Sequence, residues 1–114
     1  MTQRVSDETP LPATPQPATL SLAIAQIAPV WLNKRATITK IRMYIGRAAD
    51  EGADIVVFGE SFLPGYPFWL ERTEGAQFNS ETQKILHAKY LTEAVCIEAG
   101  DLVPICTLAK ERKI

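Results

Sequence analysis

Histidine and cysteine are scarce here, with one His and two Cys in 114 residues. Cys96 and Cys106 are too few for a disulfide framework, and no Cys-x-x-Cys pair or Cys/His cluster offers ligands to a metal. No metal is expected, and a reducing cytoplasmic setting is the default. An excess of charge is missing too. The formal net charge is −1, so no basic footprint points to nucleic acid or to an anionic membrane. The most apolar window, LSLAIAQIAPVWL at residues 20–32, is broken by Ser21, Gln26 and Pro29. It falls short of the ~20 apolar residues a membrane span requires. The amino terminus has no basic start followed by an apolar core, so no signal peptide is expected.

What remains is ordinary for a globular protein: 46% apolar and 22% charged residues. Residues 1–19 hold four of the eight prolines and almost no large apolar side chains. They read as a disordered or extended tail, because they cannot bury enough surface to offset ordering entropy. Residues 20–27, LSLAIAQI, form a short apolar run closed by Pro29. The run predicts a strand covered on both faces, as in parallel sheets. Over residues 33–50, Ile38, Ile41, Ile45 and Ala48 recur at helical spacing, with Asn33 placed to cap the start and Gly52 the end. Residues 54–58, DIVVF, predict a second buried strand. Strand, helix and strand at this length make a βαβ unit with parallel strands and a right-handed crossover.

Beyond the loop, SETQ at residues 80–83 fits a capping box, with Ser80 as cap and Gln83 reaching back. The helix it opens should run to about Ala94. Pro104 cannot sit inside one continuous helix but can occupy the first turn of a new one. Residues 95–100 therefore read as a connection and Asp101 as the cap of a last helix, with Ile105, Leu108 and Ala109 on its buried side. That helix ends in KERKI, like the approach to a third strand. Two parallel strands are too few for a stable sheet, so residues 20–114 are expected to be the front part of a larger domain.

The chemistry concentrates at DIVVFGESFLPGYPFWLE. Glu60 lies just past Phe58, and ligands of open α/β sheets bind outside the carboxyl ends of the strands. Gly59 lets the backbone turn there, and Phe62, Tyr66, Phe68 and Trp69 could wall a dry pocket. Exclusion of water would make the carboxylate a competent proton acceptor near neutral pH. Two plainer readings stand beside this one. A glutamate after a strand is often only a loop residue, and aromatics near a sheet are more often core than pocket.

The segments LAIAQIAPVW and GADIVVFGESFLPGYPFW together resemble the amino-terminal part of the nitrilase (carbon–nitrogen hydrolase) superfamily. There an Ala-Gln strand opens the domain, and a helix ending in Gly-Ala-Asp leads to the strand that delivers a catalytic glutamate. Gly65-Tyr66-Pro67 is similar to the nitrilase branch in particular. Gly59 stands where proline is common in the family, and Ser61 where nitrilases often have alanine. The resemblance covers about residues 20–114 and implies an α/β fold, the front of an α-β-β-α sandwich truncated before its third strand. It implies a Glu, Lys and Cys triad in which a thiolate attacks the nitrile or amide carbon. The glutamate is the general base, and the lysine stabilises the tetrahedral intermediate. Only Glu60 matches a triad position, and Tyr66, Phe68 and Trp69 are the implied substrate-binding side chains. The lysine and the nucleophile are expected beyond residue 114.

Within the chain, Cys96 and Cys106 are expected to be buried small apolar residues. Lys84 and Lys89 alternate with Glu81 and Glu93 in a solvated pattern. Lys110 and Lys113 suit a helix carboxyl end, and His87 is a mid-helix surface residue. A nucleotide-binding βαβ unit is set aside, since AQIAPVWLN lacks the glycine-rich turn that must follow its first strand. Two expectations are carried forward. One is a hydrolase of nitriles or amides, homo-oligomeric when complete and without nucleic-acid or membrane partners. The other is a catalytically inactive fragment that at most pairs with other subunits.

Overall fold

Two four-residue strands form where the short apolar runs stand, β1 at Leu22–Ala25 and β2 at Ile55–Phe58. In the computed structural model, which describes residues 18–75 and 77–114, they pair in parallel, with Leu22 opposite Ile55 and Ala25 opposite Phe58. The first 17 residues of the expected tail lie outside the described residues. The strands are joined by α1, Lys34–Asp50. Asn33 caps it as expected, its side-chain oxygen accepting from the Ala36 N–H at 3.0 Å. At the other end Glu51 is the cap, and Gly52 follows it at φ +82°. Glycine enters that left-handed geometry without steric cost.

The helical spacing delivers the core. Ile41, Ile45 and Ala48 are buried on one face of α1. Phe62 completes the central cluster, with Val56, Phe58, Ile105 and Leu108 packed against it. The last two come from α4, Val103–Arg112, which lies on α1. The architecture is thus mixed α/β, a two-stranded parallel sheet with helices. The strands differ from expectation in one respect. Ala23, Ala25, Val56 and Phe58 are half-buried, but Leu22, Ile24, Ile55 and Val57 are exposed, Ile24 at 73%. Side chains alternate across a strand, and among the described residues the helices cover only one row.

Two further helices complete the described chain. A single turn, α2 at Trp69–Arg72, was not expected from the sequence. The next, α3 at Glu81–Thr92, starts from Ser80, whose hydroxyl accepts from the Gln83 N–H at 3.3 Å. The second half of the capping box is not made. The Gln83 amide donates instead to the Thr73 hydroxyl at 2.6 Å, a partner that only the folded loop supplies. Pro104 sits in the first turn of α4, as anticipated, but the cap position is Leu102 rather than Asp101. The Asp101 carboxylate is occupied elsewhere, accepting from Lys34 Nζ and from the Cys96 N–H, each at 2.7 Å.

Both thiols are exposed, not buried. Cys106 follows Ile105, and at about 100° per residue it turns off the buried stripe. Cys96 lies in the connection between α3 and α4, where its N–H donates to Asp101 and its exposed thiol to Glu98 Oε2 at 3.7 Å.

Lys34 fastens that connection to the start of α1. Its N–H donates to Glu93 Oε2 at 2.9 Å, and its ammonium to the Ala94 carbonyl at 3.2 Å as well as to Asp101. The Asp101 hydrogen bond raises the Lys34 pKa above its ordinary 10.5, against a smaller effect of desolvation. The same bond, then the Cys96 N–H, lowers Asp101 below 3.8. The Lys34 backbone N–H lowers Glu93 below 4.5.

Two outcomes follow from this architecture. Carboxylates of depressed pKa stabilise the fold above their ordinary values and lose that contribution as pH falls through the depressed ones. A lysine of raised pKa stabilises below its ordinary value and loses it as pH rises through the raised one. The Lys34 junction should therefore be intact from about pH 5 to 10 and weaken on both sides. Thermal midpoints followed from neutral to acid pH should fall, and Asp101→Asn should flatten part of that acid-side slope. Separately, exposed apolar rows on a sheet drive association. The 114-residue chain should show concentration-dependent mass in sedimentation, and Ile24→Asp with Val57→Asp should reduce it. A concentration-independent monomer would contradict this.

Candidate active site

Residues 59–68 leave the carboxyl end of β2 and fold back onto the β1–α1 loop. The turn begins with the Phe62 N–H donating to the Gly59 carbonyl at 3.2 Å and continues with the Gly65 N–H donating to the Ser61 carbonyl at 2.9 Å. Glu60 sits inside the first of these turns and is exposed. None of the ion pairs among the described residues involves it. Ser61 next to it has φ +54°. For a residue with a Cβ this left-handed conformation costs roughly 1–2 kcal/mol, so surrounding contacts must hold it. The Leu63–Pro64 peptide bond is cis.

The aromatic residues divide. Phe62 turns inward, 7% exposed, with its ring centroid 5.4 Å from that of Phe58. Trp69 also turns inward, 6% exposed, and packs edge-on against His87 and Tyr90 of α3. Its indole N–H has no partner among the described residues. Tyr66 and Phe68 stay at the surface. Glu60 is therefore not enclosed by the described residues in the dry pocket that the sequence suggested, because two of its four rings are drawn into packing.

Trp31 was not singled out in the sequence. It projects from the β1–α1 loop, half exposed, and meets Phe68 edge-to-face at 5.3 Å. Arg72 lies over the other side of that neighbourhood, its guanidinium 5.5 Å from the Phe68 ring centre. The Trp31 ring also covers Gly65, where an added Cβ would come within 2.6 Å of Trp31 Cδ1. The β1–α1 loop is fixed in turn by Thr37, which is fully buried. Its hydroxyl donates to the Val30 carbonyl at 2.9 Å and accepts from the Val30 N–H at 3.2 Å. The Leu32 N–H donates to the Pro64 carbonyl at 3.2 Å, joining the two loops directly.

The other titratable side chains occupy different places. Lys84 pairs with Glu81 at 3.1 Å and Lys89 with Glu93 at 3.6 Å, both on α3. Cys96 belongs to the Lys34 junction. Lys113 ends α4 in a left-handed conformation. No three His, Cys, Asp or Glu side chains gather as a metal-binding group among the described residues. No helix among them is long and apolar enough to cross a membrane. The site thus consists of a carboxylate at the end of a parallel strand, on a loop braced by aromatic contacts.

The carbon–nitrogen hydrolase family profile matches residues 21–114, and the chain belongs to that family. It is 33% identical over 101 residues to an arylacetonitrilase of Aspergillus oryzae, covering 89% of this chain and 28% of the relative. It is 33% identical over 92 residues to a protein named nitrilase 2 from an unknown prokaryotic organism, covering 81% and 28%. An arylacetonitrilase of Hypocrea virens is 45% identical over a shorter stretch of 49 residues, 43% of this chain and 15% of the relative. The chain spans little more than a quarter of the length of the first two. No solved structure matches it.

Proposed function

We propose that this chain is the amino-terminal part of a nitrilase-like hydrolase of non-peptide carbon–nitrogen bonds, with Glu60 as its general base. The observation that carries the reading is the position of Glu60. It lies two residues past the end of β2, at the carboxyl end of a parallel strand, within a segment that matches the family throughout. In this reading the Glu60 carboxylate accepts the proton of a cysteine thiol as sulfur bonds to the nitrile or amide carbon. A lysine stabilises the resulting charge. That cysteine and lysine are assigned to no residue of this chain, since Cys96 and Cys106 stand on a connection and a helix rather than after strands. Tyr66 and Phe68, the exposed rings of the loop, bear on the substrate. Trp69 anchors that loop through α3. Relatives named arylacetonitrilase, together with these rings, support a nitrile carrying an aromatic group. No cofactor is required, and the complete protein would be a homo-oligomer working in the cytoplasm.

The second reading, an inactive segment that pairs with other subunits, is favoured by one observation. The row formed by Leu22, Ile24, Ile55 and Val57 is apolar and exposed.

The deciding experiment joins residues 20–114 to the remainder of a carbon–nitrogen hydrolase domain and follows steady-state ammonia release. Glu60→Gln removes the base and keeps the shape. Turnover should fall by at least ~10²-fold, the usual lower range for a general base, with the circular dichroism spectrum unchanged. Glu51→Gln and Glu71→Gln should stay within a few-fold of the parent. Near-parental turnover in folded Glu60→Gln would remove Glu60 from the role. The 114-residue chain alone should release no ammonia above background. Turnover abolished by Cys96→Ala or Cys106→Ala would reassign the nucleophile.

A further inference from the structure

We infer that Trp31 is a positioning residue for Glu60, acting through Gly65 and the Ser61 carbonyl. This rests on Glu60 being the base, as proposed above, but the contacts that carry it are independent of that role. Glu60 has β2 before it and a residue of positive φ after it, Ser61 at +54°. What holds Ser61 in that conformation on the loop side is the Gly65 N–H on its carbonyl at 2.9 Å. Gly65 is itself at φ +121°, with the Trp31 ring so close that a Cβ would sit 2.6 Å from Cδ1. The approach is closer than real Cβ atoms tolerate, so ring and glycine fit only as a pair.

Trp31 is not free to move away. Phe68 bears on its ring edge-to-face at 5.3 Å, an arrangement favoured by the ring quadrupoles. On the other side, Val30 has both backbone groups on the buried Thr37 hydroxyl. The Leu32 N–H, just after Trp31, is bonded to the Pro64 carbonyl. A line of contacts therefore runs from the rigid helix α1 through Trp31 to the residue beside the carboxylate. Side chains that locate a reacting group need this kind of locked support, because a displacement of about 1 Å can cost ~10²-fold in rate.

The test has two parts. The first uses the 114-residue chain and hydrogen exchange of single amides. The Gly65 and Leu32 amides should be slowed in the parent. Trp31→Ala should speed both by at least about tenfold while the β2 amides stay as in the parent, and Trp31→Phe should restore most of the protection. Gly65→Ala should give the same loss. Combined with Trp31→Ala it should cost less than the two losses together, because they share one contact, but more than either alone, because alanine at φ +121° is strained with or without the ring. The second part uses the joined polypeptide described above. Trp31→Ala should lower kcat by at least about tenfold with KM changed less than threefold, and Trp31→Phe should recover kcat to within a few-fold.

Fast exchange at Gly65 in the parent chain would overturn the brace. So would a Trp31→Ala variant with parental protection, or one that loses protection equally in β2. A KM effect without a kcat effect would make Trp31 a substrate contact instead and overturn the positioning role. Failure of the base assignment is read separately, from Glu60→Gln, and leaves the exchange result standing.

Discussion

The Thr37 hydroxyl lies on the first turn of α1 with no exposed surface and serves both backbone groups of Val30. Without it the Val30 N–H would lose this partner, at ~1–3 kcal/mol if left unpaired, while the Val30 carbonyl would keep the Asn33 N–H at 3.1 Å, so this side chain is one of the ties that place the β1–α1 loop. The Trp31 ring, the Leu32 amide and, through them, the loop after β2 all take their position from that loop. The sheet supplies the direction of Glu60, and α1 supplies its distance from the neighbouring loop. Two strands of four residues could not fix such a loop alone, since short strands in a two-stranded sheet are marginal in water.

The βαβ unit was legible because its signals are local and periodic. Ile41, Ile45 and Ala48 fall on one helical stripe, and that stripe is buried. The runs at residues 20–27 and 54–58 are short, apolar and bounded, and each contains a strand, Leu22–Ala25 and Ile55–Phe58. Asn33 and Ser80 were legible as caps because each needs only a neighbour three residues on. The failures share a cause. Asp101 has the chemistry of a cap but faces a lysine 67 positions away. Gln83 has the chemistry of a capping box but finds Thr73. In both cases a distant partner outbid a local one, and nothing in the adjacent residues announces it.

The candidate site was legible to the same degree. Glu60 could be singled out from its place after an apolar run, whereas the fates of the surrounding rings could not. Phe62 and Trp69 are drawn inward by α1 and α3, which the loop sequence does not encode. Trp31 was missed because its pairing with Gly65 is a matter of space, not of type. A glycine in a Pro-Gly-Tyr-Pro stretch reads first as a turn residue. The usable signal is Trp31 itself, a large aromatic at the end of the apolar window of residues 20–32.

The α3 helix has no fully buried residue of its own. It is held at its start by Ser80 and Gln83, along one side by the Trp69 ring, and at its end where Glu93 and Ala94 meet Lys34. A segment secured in this way resembles a plank resting on trestles more than a beam cast into a wall. Its free energy of opening is set by those few attachments rather than by the central core, so it can unfold as a unit while β1, α1 and β2 remain in place. Sequence drift in the span between the attachments is correspondingly cheap. The same independence means that a partner settling on α3 could change how Trp69 holds the loop after β2 without disturbing the sheet that precedes it.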